Sequence, residues 1–302
     1  MELLRTPDEA FADVPGWDHE PTYVDVSTLD DDATPRVAVV DVGPRDAPPV
    51  LMLHGEPTWG FLYRHVVDRV VEAGLRAVVP DLVGFGRSDK PAEVADHTYA
   101  RHVDWQRQVV EALDLTDVTL LCQDWGGLIG LRVLADQPDR FARVVAANTG
   151  LADGSRRMPD VWWSFHDFVE RTPDLPVGSL VQGGAKTELA DEVVAAYDAP
   201  FPDASYKAGA RAMPGLIPQS EDDPAVPDQR RAWQVLQSWD KPFVCAFSDS
   251  DPITARGDRP FHKLVPGTQG QPHTTITAAG HFLQEDNPAD LAQVVVDAVR
   301  RG

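Results

Sequence analysis

The stretch Leu120-Leu121-Cys122-Gln123-Asp124-Trp125-Gly126-Gly127 limits what this chain can fold into more than any other. The apolar run Val118–Cys122 reads as a buried strand, and Gly126–Ala135 reads as a helix start. The small-residue turn between them is of the nucleophile-elbow type, Gly-x-nucleophile-x-Gly, which holds one side chain at the tip of a sharp turn. Two departures from that pattern matter. Cys122 replaces the first glycine, and Asp124 stands where serine is usual. A carboxylate is already ionised at pH 7, so it needs no base to attack. Attack on carbon leaves an ester on the enzyme. The expected chemistry is therefore alkyl transfer rather than ordinary ester or peptide hydrolysis.

The rest of the pattern agrees with a mostly parallel sheet. Tyr23–Val26 and Arg36–Val40 read as an antiparallel hairpin. Strand, turn and helix then alternate: strand Pro49–Leu53, helix Leu62–Ala73, strand Leu75–Val79, helix Arg101–Leu113, the elbow, and strand Arg143–Asn148. Continuous apolar strands alternating with helices indicate a parallel sheet covered on both faces. The alternation stops after Asn148. Residues 152–230 are rich in Pro, Asp, Trp and Ala, carry helical pieces and lack an apolar strand run. Strands resume at Pro242–Phe247 and Thr274–Thr277, and Asn287–Arg300 makes a final amphipathic helix. The expected organisation is a core of residues 1–151 and 231–302, with 152–230 inserted as a helical cap.

A chain of 302 residues, 43% hydrophobic, suits one large α/β domain with an inserted lid. No apolar run approaches the ~18 residues of a membrane span, and no signal peptide is evident at Met1–Arg5. With only two cysteines, both in predicted strands, a cytoplasmic location is expected. The net charge is -21, from 36 Asp and 12 Glu against 22 Arg and only 5 Lys. That balance argues against nucleic acid or an anionic membrane as partner. It resembles a halophile's surface, where salt screens repulsion between carboxylates. The folded signal is accordingly expected to be lost on transfer from molar salt to dilute buffer, which thermal melts across that range would test. Unchanged stability would rule the idea out.

Asp124 needs a base for a second half-reaction, in which water cleaves the ester. In elbow-type folds the chain order is nucleophile, acid, histidine. Of the nine histidines, His54 and His281 sit at strand ends, and only His281, in Ala278-Ala279-Gly280-His281-Phe282, comes late enough. The acid should follow strand Phe243–Phe247, where Asp249 and Asp251 both qualify. His54-Gly55-Glu56-Pro57-Thr58-Trp59 follows a strand at the oxyanion-loop position. Backbone N–H groups of Glu56 and Trp125 would hold the Asp124 carbonyl oxygen as it becomes an oxyanion. The Trp125 indole N–H can donate to a departing anion without bringing a competing charge. No spacing of His, Cys and acid suggests a metal cluster, and no cofactor is called for.

Together these motifs make the chain similar to the haloalkane dehalogenases, most like the subfamily carrying His-Gly-Glu-Pro-Thr-Trp in the oxyanion loop. The similarity includes His54–Arg64, Asp81–Pro91, Gln123–Gly127, Ala199-Pro200-Phe201-Pro202-Asp203 with Ser205-Tyr206, and Gly280-His281-Phe282. The resemblance implies an α/β-hydrolase fold with an eight-stranded, mostly parallel sheet and a helical cap. It implies Asp124 as nucleophile, His281 as base, Asp251 as the acid that orients it, and Trp125 as one halide ligand. The substrate would be a halogenated alkane, cleaved by water to alcohol, halide and a proton. The second halide ligand is a cap tryptophan, here Trp163, with Trp162 as alternate and Phe165 also at the matching region. Phe61, Phe165, Phe168, Phe201 and Leu283 are expected in the pocket. One alternative is an epoxide hydrolase, which needs acidic donors; Tyr197 and Tyr206 are the cap's only tyrosines. Another is a non-catalytic binding protein of the same fold, which typically lacks one of the three catalytic residues. Monomer and homo-oligomer both remain open.

Overall fold

The structure is a computed structural model and describes residues 1–301. Its centre is an eight-stranded sheet. The strands, in chain order, are β1 (Thr22–Asp25), β2 (Arg36–Val42), β3 (Pro49–Leu53), β4 (Arg76–Pro80), β5 (Val118–Gln123), β6 (Phe141–Ala147), β7 (Phe243–Ser248) and β8 (Thr274–Ile276). Across the sheet they run β8-β7-β6-β5-β3-β4-β2-β1. β2 pairs antiparallel with both β1 and β4, and the remaining pairs are parallel. Every residue of β3 and β5 is buried, which explains their unbroken apolar runs: helices cover both faces. Each fully buried Val or Leu there contributes about 1.5–3 kcal/mol. The strand feeding the elbow is thus held rigidly.

Among the described residues, eleven α-helices surround the sheet. They are α1 (Arg64–Glu72), α2 (Tyr99–Ala112), α3 (Trp125–Asp136), α4 (Asp160–Arg171), α5 (Val177–Gly184), α6 (Asp191–Asp198), α7 (Ala208–Ala212), α8 (Val226–Leu236), α9 (Asp258–Leu264), α10 (Leu283–Asp286) and α11 (Pro288–Arg301). Helix α3 is buried from Trp125 through Leu134, lying between the sheet and helices α2 and α8. A helix apolar on all sides belongs in such a place. Helix α11 is amphipathic instead, burying Leu291, Val295 and Val296 while ending in Arg300 and Arg301.

Helices α4 to α8 fall between β6 and β7, where the sequence pattern breaks. Helix α8 runs continuously across residue 230, the expected end of the insertion. It is tied to α3 by Arg132, which bonds Gln229 at 3.1 Å and Asp228 at 2.9 Å. A hydrogen bond onto a buried ion pair links the insertion to the core: Arg64 of α1 meets Glu285 of α10 at 2.7 Å, and Tyr197 of α6, in the insertion, donates to the same carboxylate. The carboxyl ends of β3, β5, β6 and β7, together with the loop after β8, face this helical block. Open α/β sheets bind ligands at that edge.

Candidate active site

Asp124 is the residue between β5 and α3, with φ 50° and ψ −125°. A non-glycine residue in this region is strained by about 1–3 kcal/mol and persists only where its surroundings hold it. Here Asp124 N–H donates to Asn148 O at 3.1 Å, while its own carbonyl accepts from Thr149 Oγ1 at 2.7 Å and Gly127 N at 2.9 Å. The turn is also sterically closed. A Cβ at Gly126 would lie 1.9 Å from Leu53 O, and one at Gly55 would lie 2.3 Å from Asp124 Oδ1. These two positions accept only glycine.

The two oxygens of Asp124 are not equivalent. Oδ1 accepts from Glu56 N–H at 2.9 Å. Oδ2 lies 3.6 Å from His281 Nε2. The opposite face of the imidazole is engaged by Asp251, with Nδ1 to Oδ2 at 3.0 Å. Asp251 also accepts from Ile253 N at 2.8 Å and from the Thr254 hydroxyl. Its pKa is lowered: burial works against the charge, but His281 and these donors outweigh it. Asp249, the alternate, instead accepts from the backbone of Ala278 at 2.9 Å and Ala279 at 3.2 Å, a turn-holding role. Burial pushes the His281 pKa down, yet the charges of Asp251 and Asp124 carry it up to about 10. In the free protein this favours the imidazolium form, with His281 placed between two carboxylates.

The oxyanion loop is fixed by His54. Its Nδ1 faces Gly55 O at 3.0 Å and its Nε2 accepts from Leu82 N at 2.9 Å. Burial lowers its pKa to about 4, so it is neutral and serves to hold the loop. The Glu56 side chain is buried, and its Oε1 has no partner. Burial and the nearby Asp124 charge both raise its pKa, which favours the neutral acid.

A cavity of about 500 Å3 is lined by Asp124, Glu56, Pro57, Trp125, Trp162, Phe165, His281 and Phe282. Its remaining wall includes Val161, Leu180, Pro214, Ile217 and Ile253. It is a mainly apolar chamber around the Asp124 carboxylate and the His281 imidazole, with Glu56 and Lys186 also on its wall. Several expected pocket residues are elsewhere. Trp163, preferred as the cap halide ligand, does not line this cavity; its Nε1 is buried without a partner. The neighbouring Trp162 does, because Val161, Trp162 and Phe165 share the cavity face of α4 and Trp163 is turned about 100° away. Phe61 is fully buried and stacks on Trp59 at 5.5 Å. Phe201 packs edge-on against Phe85, and Leu283 is fully buried core. Phe168 is 41% exposed. Of the five proposed pocket residues, Phe165 alone lines the chamber.

Two positioning residues escaped the sequence reading. Asn148, at the end of β6, donates to Ser248 Oγ at 2.8 Å, Gly280 O at 2.9 Å and His281 O at 3.0 Å, joining the β7 end to the histidine loop. Gln123 donates to His281 O at 3.2 Å. Their location beside the elbow and at a strand end was the available signal. Residues able to hold a metal lie elsewhere. Cys245, His262 and His273 converge, but His273 Nδ1 already accepts from Cys245 N at 3.1 Å and its Nε2 faces Thr268 O at 2.8 Å. His166, Asp167 and Glu170 form a second group on α4. Neither group includes a residue of the Asp124–His281–Asp251 set.

Comparison with known proteins agrees with this geometry. Residues 48–288 match the alpha/beta hydrolase fold family. A haloalkane dehalogenase of Psychrobacter cryohalolentis is 50% identical over 299 residues, covering 99% of this chain and 98% of that protein. Haloalkane dehalogenase 1 of Mycobacterium bovis is 50% identical over 293 residues, 97% of each chain. Among solved structures, the tetrameric haloalkane dehalogenase of Paraglaciecola agarilytica superposes with a TM-score of 0.89 at 34% identity, covering 97% of both chains.

Proposed function

The chain belongs to the α/β-hydrolase fold family and, within it, to the haloalkane dehalogenases, and from that premise we propose how its residues divide the work. The reaction is hydrolysis of a haloalkane to alcohol, halide and a proton. Asp124 Oδ2 attacks the halogen-bearing carbon in line with the carbon–halogen bond. The bond to halide breaks, and an alkyl ester of Asp124 forms. The indole N–H groups of Trp125 and Trp162 donate to the departing halide. Water then attacks Cγ of Asp124 while His281 takes its proton and Asp251 stabilises the imidazolium. The Glu56 backbone N–H, already on Oδ1, and that of Trp125 stabilise the oxyanion. The observation that carries this reading is the carboxylate at the elbow, with Oδ1 pinned by Glu56 and Oδ2 facing His281 at 3.6 Å.

The raised pKa of His281 sets when the proton leaves. In the free enzyme, Asp124 is one of the two carboxylates that keep the imidazole protonated. Esterification removes the Asp124 charge, so the His281 pKa falls and the imidazole becomes a base when water must be activated. At pH 8 the proton should therefore reach solvent with the halide, before the alcohol forms. Stopped-flow traces of a pH indicator and of halide would coincide in the first turnover; a proton trace lagging to the hydrolytic phase would contradict it. The sign for stability follows. A folded pKa above the unfolded value near 6.5 stabilises the fold fully below that pH. The contribution is lost as pH rises through about 10.

Trp162→Phe is expected to lower kcat/KM for 1-bromobutane about 10- to 100-fold, since one donor to developing charge in a dry site is lost. Trp163→Phe should change it by less than about threefold, because Trp163 lines no wall of the chamber. Steady-state halide release from the two variants decides between the tryptophans.

Halide release from 1,2-dibromoethane and 1-bromobutane, in a nitrate background free of chloride, tests the reading as a whole. Styrene oxide tests the epoxide alternative in parallel. Tyr197 is fully buried and committed to Glu285, and neither Tyr197 nor Tyr206 lines the Asp124 chamber. No epoxide opening is expected. No helix among the described residues is long and apolar enough to cross a membrane. Two buried free cysteines, Cys122 and Cys245, support a reducing, cytoplasmic setting, which cell fractionation would check.

A further inference from the structure

Asp124 also borders a second, larger cavity of about 610 Å3, which shares Trp162, Ile217 and Ile253 with the chamber described above. Its inner wall is apolar, with Leu128, Leu151, Met158, Trp233 and Phe261. Its exposed rim is different. Four arginines stand there: Arg156, Arg157, Arg230 and Arg256. The wall carries two carboxylates, Asp124 and Asp153, and Asp153 is occupied by Ser155. Arg157 is paired with Asp160 and Arg230 with Glu221, both at 2.6 Å. Arg156 and Arg256 have no ion-pair partner among the described residues.

This concentration of positive charge occurs on a chain of net charge -21 with only 27 cationic side chains. A cavity that borders Asp124, with apolar side chains on its inner wall and arginines at its rim, is complementary to an amphiphile: an alkyl chain with an anionic end. The volume far exceeds what a halide ion needs. The planar guanidinium also matches the two oxygens of a carboxylate in a way a point charge does not. Resting on the dehalogenase reading, we propose that the preferred substrates are haloalkanes with a terminal carboxylate. The carbon–halogen bond lies at Asp124, the chain runs along the larger cavity, and Arg156 and Arg256 receive the carboxylate. The established charge logic of the site is unchanged, since the anionic end is kept a chain length away from Asp124.

The test is a series of ω-bromoalkanoates of increasing length, their methyl esters as neutral counterparts, and 1-bromobutane, all at one ionic strength at which the protein is folded. In the wild type, kcat/KM for the alkanoate should exceed that for its methyl ester by about tenfold at the length that spans the cavity, and less at shorter lengths. Arg156→Gln/Arg256→Gln should reduce that preference to within about twofold while leaving 1-bromobutane turnover unchanged, because rim charges act on charged ligands only. Normal turnover of 1-bromobutane with no alkanoate preferred over its ester overturns the proposal alone. So does a preference that survives intact in the double variant. Silence toward every bromide, bromobutane included, overturns the dehalogenase reading on which the proposal rests.

Discussion

Asp124→Ala is expected to lower halide release from 1-bromobutane by at least about ten-thousandfold, equivalent to about 5 kcal/mol of barrier. The size follows from what is removed. No other carboxylate is placed to take over: burial and the Asp124 charge raise the Glu56 pKa and so favour its neutral acid, and Asp251, outside the chamber wall, lies behind His281 with both oxygens engaged. Water, a far weaker nucleophile than the carboxylate it replaces, would alone have to displace the halide. The fold should survive. Glu56 N–H loses its acceptor, and alanine tolerates the φ of 50° less well than aspartate, but the sheet and α3 do not depend on the carboxylate. A thermal midpoint within a few degrees of wild type, with halide release lost, is the expected pair of results. A variant retaining more than about a hundredth of the activity would mean that the carbon–halogen bond is not broken by Asp124.

His281→Phe separates the two half-reactions. The first requires Asp124 and the indole donors; the second requires a base. The variant should release about one equivalent of halide per active site and then stop, with kcat reduced at least about a thousandfold. Intact mass should increase by one alkyl group, and digestion should locate it on the peptide containing Asp124. Steady turnover without an adduct would show that some other group activates the water. Release of neither halide nor adduct from folded variant would show that His281 already acts in the first step. The substitution also strips the cation from between two carboxylates, so some loss of stability accompanies it. The burst experiment remains interpretable because it counts halide against folded sites.

The elbow was readable because its chemistry is local. A strand, a tight turn and a helix must occupy consecutive residues, so Asp124 and Trp125 announce themselves within eight positions. His281 was reachable through chain order, since it follows the last strand; chain order narrowed the acid to Asp249 or Asp251, and only the family resemblance pointed to Asp251. The cap halide donor was not reachable in this way. Trp162 and Trp163 are adjacent on α4, and about 100° of helical rotation decides which one faces the cavity. That rotation is set by how α4 packs on the rest of the molecule, which no local pattern encodes. The same limit explains Phe61, Phe201 and Leu283, whose apolar side chains suit a pocket wall and a core equally well. Their burial among Trp59, Phe85 and the helices is a tertiary outcome. Asn148 was missed for the opposite reason. One side chain joins three separated segments, and only their assembly reveals the role.

The unequal oxygens of Asp124 give the enzyme a memory. When water attacks Cγ, the alcohol departs with the oxygen that had attacked the substrate, and the water's oxygen remains in the carboxylate. Because Glu56 N–H anchors Oδ1 at 2.9 Å, the newcomer takes the free position and becomes the next nucleophile. Each molecule of alcohol thus carries the oxygen of the water consumed one turnover earlier. The very first carries an oxygen from the polypeptide as it was made on the ribosome. In heavy-oxygen water the label would enter the alcohol one cycle late, and the sharpness of that delay would measure how seldom the carboxylate flips between turnovers.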